Sequence, residues 1–172
     1  SFLTEDTFDI HFEKALDGID VEVNRQYALE LITSAAEAGL PEAISDLSVM
    51  YKTGLGVPLD YRKAVIWLEK YAQFMADTYG PGHPDTLKTL NKLTTNYAAA
   101  GNYTKALDTG NQVYALCCQT LGQEHPDTLA VLKNLAVHYN ELGHFDKSLE
   151  LSKKTYELRC KVLGPEHPDT LT

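Results

Sequence analysis

The chain has 172 residues, 44% of them hydrophobic, and a net charge of −9. That is enough apolar material for a substantial core, which excludes a disordered or collagen-like polypeptide. The acidic balance argues against a nucleic-acid reader, which needs a concentrated Lys/Arg surface, and no apolar run approaches the roughly 20 residues that span a bilayer.

Taken in order, Phe8, Phe12 and Leu16 recur every four residues, which predicts one face of a helix over residues 4–16 that Gly18 ends. A second helix is expected over residues 25–38, with Ala28, Leu31, Ile32, Ala35 and Ala36 as its buried stripe and Gly39 as its C-terminal cap. Pro41 opens a third, running through Tyr51. Gly54 and Gly56 bracket a turn that must reverse direction within a few residues, where positive φ costs Gly little. Pro58 stiffens the exit, and Asp60 is a good N-cap for the next helix. A Gly-rich phosphate loop is the sharper reading of these glycines, but no strand precedes them and no Gly-Lys-Ser/Thr ending follows. The helix from Tyr61 is long, passing Trp67, Tyr71 and Phe74 to about Thr78, and Trp67 suits core packing better than a ligand-stacking role.

The stretches Ala35-Ala36-Glu37-Ala38-Gly39, Glu42-Ala43, Leu47, Met50-Tyr51, Gly54-Leu55-Gly56-Val57 and Asp60-Tyr61-Arg62-Lys63-Ala64, with Trp67, resemble the Sel-like repeat. That family is a variant of the tetratricopeptide helical pair with a longer internal turn, and the resemblance spans residues 25–72. Ser48 stands where the family usually has Gly. Ser is small enough that close helix packing should survive.

Beyond this point the chain repeats itself. His83-Pro84-Asp85-Thr86-Leu87 returns as His125-Pro126-Asp127-Thr128-Leu129 and again as His167-Pro168-Asp169-Thr170-Leu171, 42 residues apart both times. Sliding residues 79–120 onto 121–162 also matches Leu90 with Leu132, Leu93 with Leu135, Tyr97 with Tyr139, Gly101 with Gly143, Leu107 with Leu149, Tyr114 with Tyr156 and Cys118 with Cys160. A period of this length predicts stacked helical pairs. Helix A of each pair begins at the Pro of the motif, buries Leu87, Leu90, Leu93 and Tyr97 (or Leu129, Leu132, Leu135 and Tyr139), and ends at Gly101 or Gly143. Helix B starts at Tyr103 or Phe145 and is expected to bury Ala106, Leu107, Tyr114 and Leu116, or Ser148, Leu149, Tyr156 and Leu158. Neither helix hides its stripe alone, so the pairs must stack.

Leu-Gly-x-Glu-His-Pro-Asp-Thr-Leu, followed by Leu-x-Asn-Leu-Ala-x-x-Tyr-x-x-x-Gly-x-Phe-x-Lys-Ser-Leu, closely resembles the 42-residue tetratricopeptide repeats of kinesin light chain and related bacterial and fungal arrays. The resemblance covers residues 79–172. It implies an all-α, right-handed α-solenoid of stacked antiparallel helix pairs. Residues 1–78 would hold the N-terminal helices and the Sel-like repeat, residues 79–120 and 121–162 two units, and residues 163–172 the start of another, in one continuous solenoid. The chain begins at Ser1 and stops just after the third motif, as a fragment would. The array is therefore expected to continue, and the C-terminal end to expose an apolar face open to self-association.

The recurring His83, His125 and His167 invite a metal or general-base reading. Equivalent atoms of stacked units lie about a helix-pair width apart, however, far beyond the ~2 Å reach of ligands sharing one metal. The motif reads instead as a helix start: Pro suits the first turn, Asp the positive end of the helix dipole, and His a capping or packing place. Cys117, Cys118 and Cys160 are too few and too odd in number for a disulfide scaffold, and are expected to be reduced packing residues of a cytoplasmic protein. No nucleophile–base constellation can be assembled, so neither catalysis nor a cofactor is expected.

Functional use falls to positions that the repeat does not fix. In tetratricopeptide arrays the A helices line a concave groove, and the resemblance implies a lining of Lys88, Asn91, Lys92, Thr95 and Ala98 in the first unit. The second contributes Ala130, Lys133, Asn134, Val137 and Asn140, and the Sel-like unit Ser45, Asp46, Val49 and Lys52. Lys attracts carboxylates, and Asn can hydrogen-bond an extended backbone with both its donor and its acceptor. The expected function is a non-catalytic interaction scaffold for a protein or peptide partner of acidic or mixed charge. A solvated face without a ligand is the bland alternative, and a spacer or the sensor arm of a larger multidomain protein are the rival classes.

Overall fold

The structure is a computed structural model that describes residues 21–164. Those residues form seven helices and no strand: α1 (Val21–Glu37), α2 (Pro41–Thr53), α3 (Tyr61–Tyr79), α4 (Pro84–Ala99), α5 (Tyr103–Thr120), α6 (Pro126–Glu141) and α7 (Phe145–Leu163). The helix expected over residues 4–16 and the third copy of the motif lie outside them. The chain divides after Tyr71 into two compact units.

In the first unit, α1 presents Ile32, Ala35 and Ala36 to Ala43, Ile44 and Leu47 of α2, with Trp67 and Tyr71 of α3 packed at the margin. Small alanines on both helices let the backbones approach, and each fully buried Ile or Leu contributes about 1.5–3 kcal/mol. Trp67 has the packing role expected of it, and the Lys70 ammonium lies 4.2 Å from its ring centre. The turn after α2 is built by Gly54 (φ 74°) and Gly56 (φ 72°), both in the left-handed region expected of them. It closes with a 2.8 Å bond from Asp60 N–H to Tyr51 C=O. Asp60 Oδ1 then accepts the N–H groups of Arg62 and Lys63 at 3.0 Å each, the cap read from its position. Ser48 is buried as the family's Gly would be. Its hydroxyl donates to Ala64 C=O at 3.1 Å and so ties α2 to α3.

In the second unit the repeated motif is a helix start. Nδ1 of His83 and of His125 accepts the N–H of Asp85 and of Asp127, at 3.2 and 3.1 Å, as an N-cap side chain does, and Pro takes the first helical position. The motif Thr is buried in both copies. Thr86 Oγ1 donates to Met75 C=O in the C-terminal part of α3 at 3.2 Å, and Thr128 Oγ1 to Gly122 C=O in the loop that follows α5 at 2.8 Å, so each helix start is fastened to the segment before it.

Consecutive helices from α4 to α7 pack on one another, and α4 also touches α6. Their shared core holds Leu87, Leu107, Val113, Cys117, Val131, Leu132, Leu135, Ala136 and Leu151. Where α5 meets α6, Gly110 replaces a side chain: a Cβ there would sit 2.8 Å from Leu135 Cδ2. The missing methyl makes room for a buried leucine.

One expectation fails. Leu149 and Tyr156 were expected to be buried like their equivalents in α5, yet Leu149 is 54% exposed against 8% for Leu107, and Tyr156 is 49% exposed. The cause is a missing neighbour: α5 packs extensively on both α4 and α6, whereas among the described helices α7 packs extensively on α6.

Candidate interaction face

An α-helix turns 100° per residue, so Lys88, Asn91, Lys92, Thr95 and Ala98 share one face of α4, and their 42-residue equivalents Ala130, Lys133, Asn134, Val137 and Asn140 share the same face of α6. The opposite side of each helix carries the buried leucines, and these ten positions are all at least half-exposed or partly exposed. The two helices join across this face: Asn134 Nδ2 donates to Asn91 Oδ1 at 3.0 Å. Lys88 Nζ lies 3.7 Å from Asp127 Oδ2 in the first turn of α6. Thr95 turns its hydroxyl back to Lys92 C=O at 2.8 Å.

The expected lining residues therefore divide. Lys88, Asn91 and Asn134 are engaged within the protein, whereas the Lys92, Lys133, Val137 and Asn140 side chains are exposed beside the amide bridge. Lys92 adjoins Asn91 in sequence and Lys133 adjoins Asn134, so both cations are adjacent to bridge residues on a chain of net charge −9. The bridge leaves one amide N–H of Asn134, its carbonyl oxygen and the amide nitrogen of Asn91 to meet a ligand. In the first unit the corresponding α2 positions behave alike: Asp46, Val49 and Lys52 are exposed and Ser45 is partly buried.

Some polar residues were not legible as special. Asn96 and His138 stand at equivalent places on α4 and α6 and are buried. Among the described residues Asn96 Oδ1 and both His138 ring nitrogens have no hydrogen-bond partner. Burial pushes the His138 pKa down, offset in part by Glu141. The only available signal was that Leu-x-x-Leu-x-x-x-Tyr spacing puts the residue before the Tyr near the core.

All three cysteines are free thiols. Cys117 is wholly buried, and burial, with smaller contributions from Cys118 and Asp127, pushes its pKa up to about 11. Such a thiol is a packing group and not a nucleophile. Among the described residues no cluster of His, Cys, Asp or Glu is placed to hold a metal ion, and no helix is long and apolar enough to cross a membrane.

Helix pairs opened by a Pro-containing cap, closed by Gly and packed consecutively at a 42-residue period define an α-helical repeat protein. The tetratricopeptide repeat family profile matches residues 60–119 and 97–161, so the chain belongs to the tetratricopeptide repeat family. The Sel1 repeat profile matches residues 15–40 and 41–73, two copies where the sequence suggested one. No curated protein matches the chain. Among solved structures it is similar to the TPR-like repeats of a Podospora anserina protein of kinesin-light-chain type, with TM-score 0.71 and 24% identity over 91% of this chain and 76% of that one. BtubC (BKLC) from P. vanneervenii is also similar, with TM-score 0.64 and 14% identity over 96% of this chain and 76% of that one. At these identities the likeness establishes the fold.

Proposed function

We propose that the chain is a non-catalytic interaction module that binds an extended, carboxylate-bearing peptide along the shared face of α4 and α6. Tetratricopeptide and Sel1 repeats support a protein-interaction scaffold in general. The finer reading rests on the 3.0 Å Asn134–Asn91 bridge beside Lys92 and Lys133. Lys88, already beside Asp127, contributes less charge to a ligand. In this reading Lys92 and Lys133 attract the peptide's carboxylates, while Asn91, Asn134 and Asn140 hydrogen-bond its backbone and Val137 and Thr95 contact its side chains.

The test uses peptides selected from a random library on the intact chain. The selected sequences should be enriched in Asp and Glu. Lys92→Glu combined with Lys133→Glu should weaken them by about ten-fold or more, since a favourable charge pair becomes a repulsive one. Selected peptides without acidic bias, or with affinity untouched by the double reversal, would place the binding face elsewhere.

A further inference from the structure

Lys88 stands on the α4–α6 face, yet its ammonium is already beside a carboxylate of the protein itself, 3.7 Å from Asp127 Oδ2. The same oxygen lies 3.8 Å from Nδ1 of His125. That nitrogen is occupied, because it accepts the Asp127 N–H at 3.1 Å as the cap of α6. An Nδ1 that accepts belongs to a neutral ring whose proton is on Nε2. One imidazole, one carboxylate and one lysine thus form a cluster with two alternative pairings.

Proton uptake by this ring goes to Nδ1 and turns that atom from acceptor to donor. The cap bond to the Asp127 N–H is then lost, and the new donor faces Asp127 Oδ2, the oxygen that holds Lys88. Two cations on one carboxylate repel each other. Lys88 is the more exposed of the two, at 52% against 39%, and has the longer, freer stem, so it is the one to leave. Other charges around the ring come from neighbouring elements. The buried Cys117 of α5 lies near enough to Asp127 for its pKa to be raised by it. From α7, Lys161 pairs with Glu124, the residue before His125.

The first copy of the motif lacks the third member. Nδ1 of His83 accepts the Asp85 N–H at 3.2 Å and lies 3.9 Å from Asp85 Oδ2, but among the described residues no Lys or Arg pairs with Asp85. His83 is therefore an internal control, with the same cap and no lysine to release.

We propose that His125 gates Lys88: with a neutral ring Asp127 keeps the lysine engaged within the protein, and protonation of His125 draws Asp127 to itself and frees Lys88 for a carboxylate of the bound peptide. The gate rests on the reading of the α4–α6 face as an acidic-peptide site, and it makes that site stronger as the pH falls through the range in which imidazoles titrate.

Two measurements test it. The first needs no ligand: carbon-13 and nitrogen-15 NMR of the intact chain from pH 7.5 to 6.0, observing the His125 ring, the Asp127 backbone amide and Lys88 Cε. The amide and the lysine carbon should shift with the midpoint of the His125 ring and stay still in His125→Asn, which keeps an acceptor for the cap but does not titrate. A Lys88 carbon that ignores His125 overturns the proposal. The second follows, by anisotropy, a labelled acidic peptide from the random-library selection. Its affinity should rise about two- to five-fold between pH 7.5 and 6.0, the range that an exposed ion pair can contribute. His125→Asn and Lys88→Gln should each abolish the rise, whereas His83→Asn should keep it. A flat profile, or a rise that survives His125→Asn, overturns the gate. Because Lys92→Glu with Lys133→Glu tests the face itself and the free-chain titration tests the release of Lys88, failure of one reading is distinguishable from failure of the other.

Discussion

His138 and its equivalent Asn96 set a weak point at the scale of single residues. A buried group without a partner costs about 1–3 kcal/mol, and a protonated imidazole there would cost more. Because the folded pKa of His138 is depressed below the ordinary 6.5, the unfolded chain takes up a proton first. Its contribution is therefore fully present above about pH 6.5 and is lost as the pH falls through the depressed folded value. Urea unfolding should show stability falling from about pH 7 to about pH 5. His138→Leu should raise stability by about 1–2 kcal/mol at neutral pH and flatten that slope; a loss of stability with an unchanged slope would mean the imidazole is satisfied. The cysteines give a second test. Brief iodoacetamide treatment of the native protein, read by mass spectrometry, should modify the partly exposed Cys118 and Cys160 and spare Cys117, whose thiol is buried with a pKa of about 11. Rapid labelling of Cys117 would show that α5 opens readily.

Two devices fix the helices in the second unit. The first is the imidazole cap: His125→Leu should cost about 1 kcal/mol, while His125→Asn, which keeps an acceptor, should cost much less. Equal losses for both would make the cap irrelevant. The second is the Gly110 gap. Gly110→Val puts branched carbons where even a Cβ would lie 2.8 Å from a buried leucine, and should cost about 1–3 kcal/mol through overpacking. Thermal unfolding followed by circular dichroism reads both. These elements explain what the sequence revealed. Gly, Pro and capping residues act within a few positions of themselves, so the helix starts after Leu40, Asp60, His83 and His125 could be read directly. Burial depends on what lies across the interface. Leu107 and Leu149 share a local pattern yet differ in exposure, because one has a covering helix and the other has none among the described residues. The Asn91–Asn134 bridge was hidden for a related reason. The two amides are one position out of step with the repeat, since Asn134 is the equivalent of Lys92. Their meeting depends on how α4 and α6 approach.

At the scale of the whole molecule, an acidic chain that places Lys92 and Lys133 beside an amide bridge should bind acidic peptides in a salt-dependent way. Long-range repulsion from the net charge of −9 opposes such a ligand, so close contacts at the two lysines and the amides must favour it; salt screens the long-range repulsion first, as the Debye length shrinks toward 8 Å at physiological ionic strength, and the exposed lysine contacts at higher salt. The most direct test is a nitrogen-15 NMR titration of the intact chain with a selected acidic peptide, observing the side-chain amides of Asn91, Asn134 and Asn140 together with the backbone. The expected result is that the largest shifts fall on those amides and on the α4 and α6 backbone around Lys92 and Lys133, while α7 stays still. Shifts confined to α7 or to the first unit, with the three asparagine amides unmoved, would contradict it.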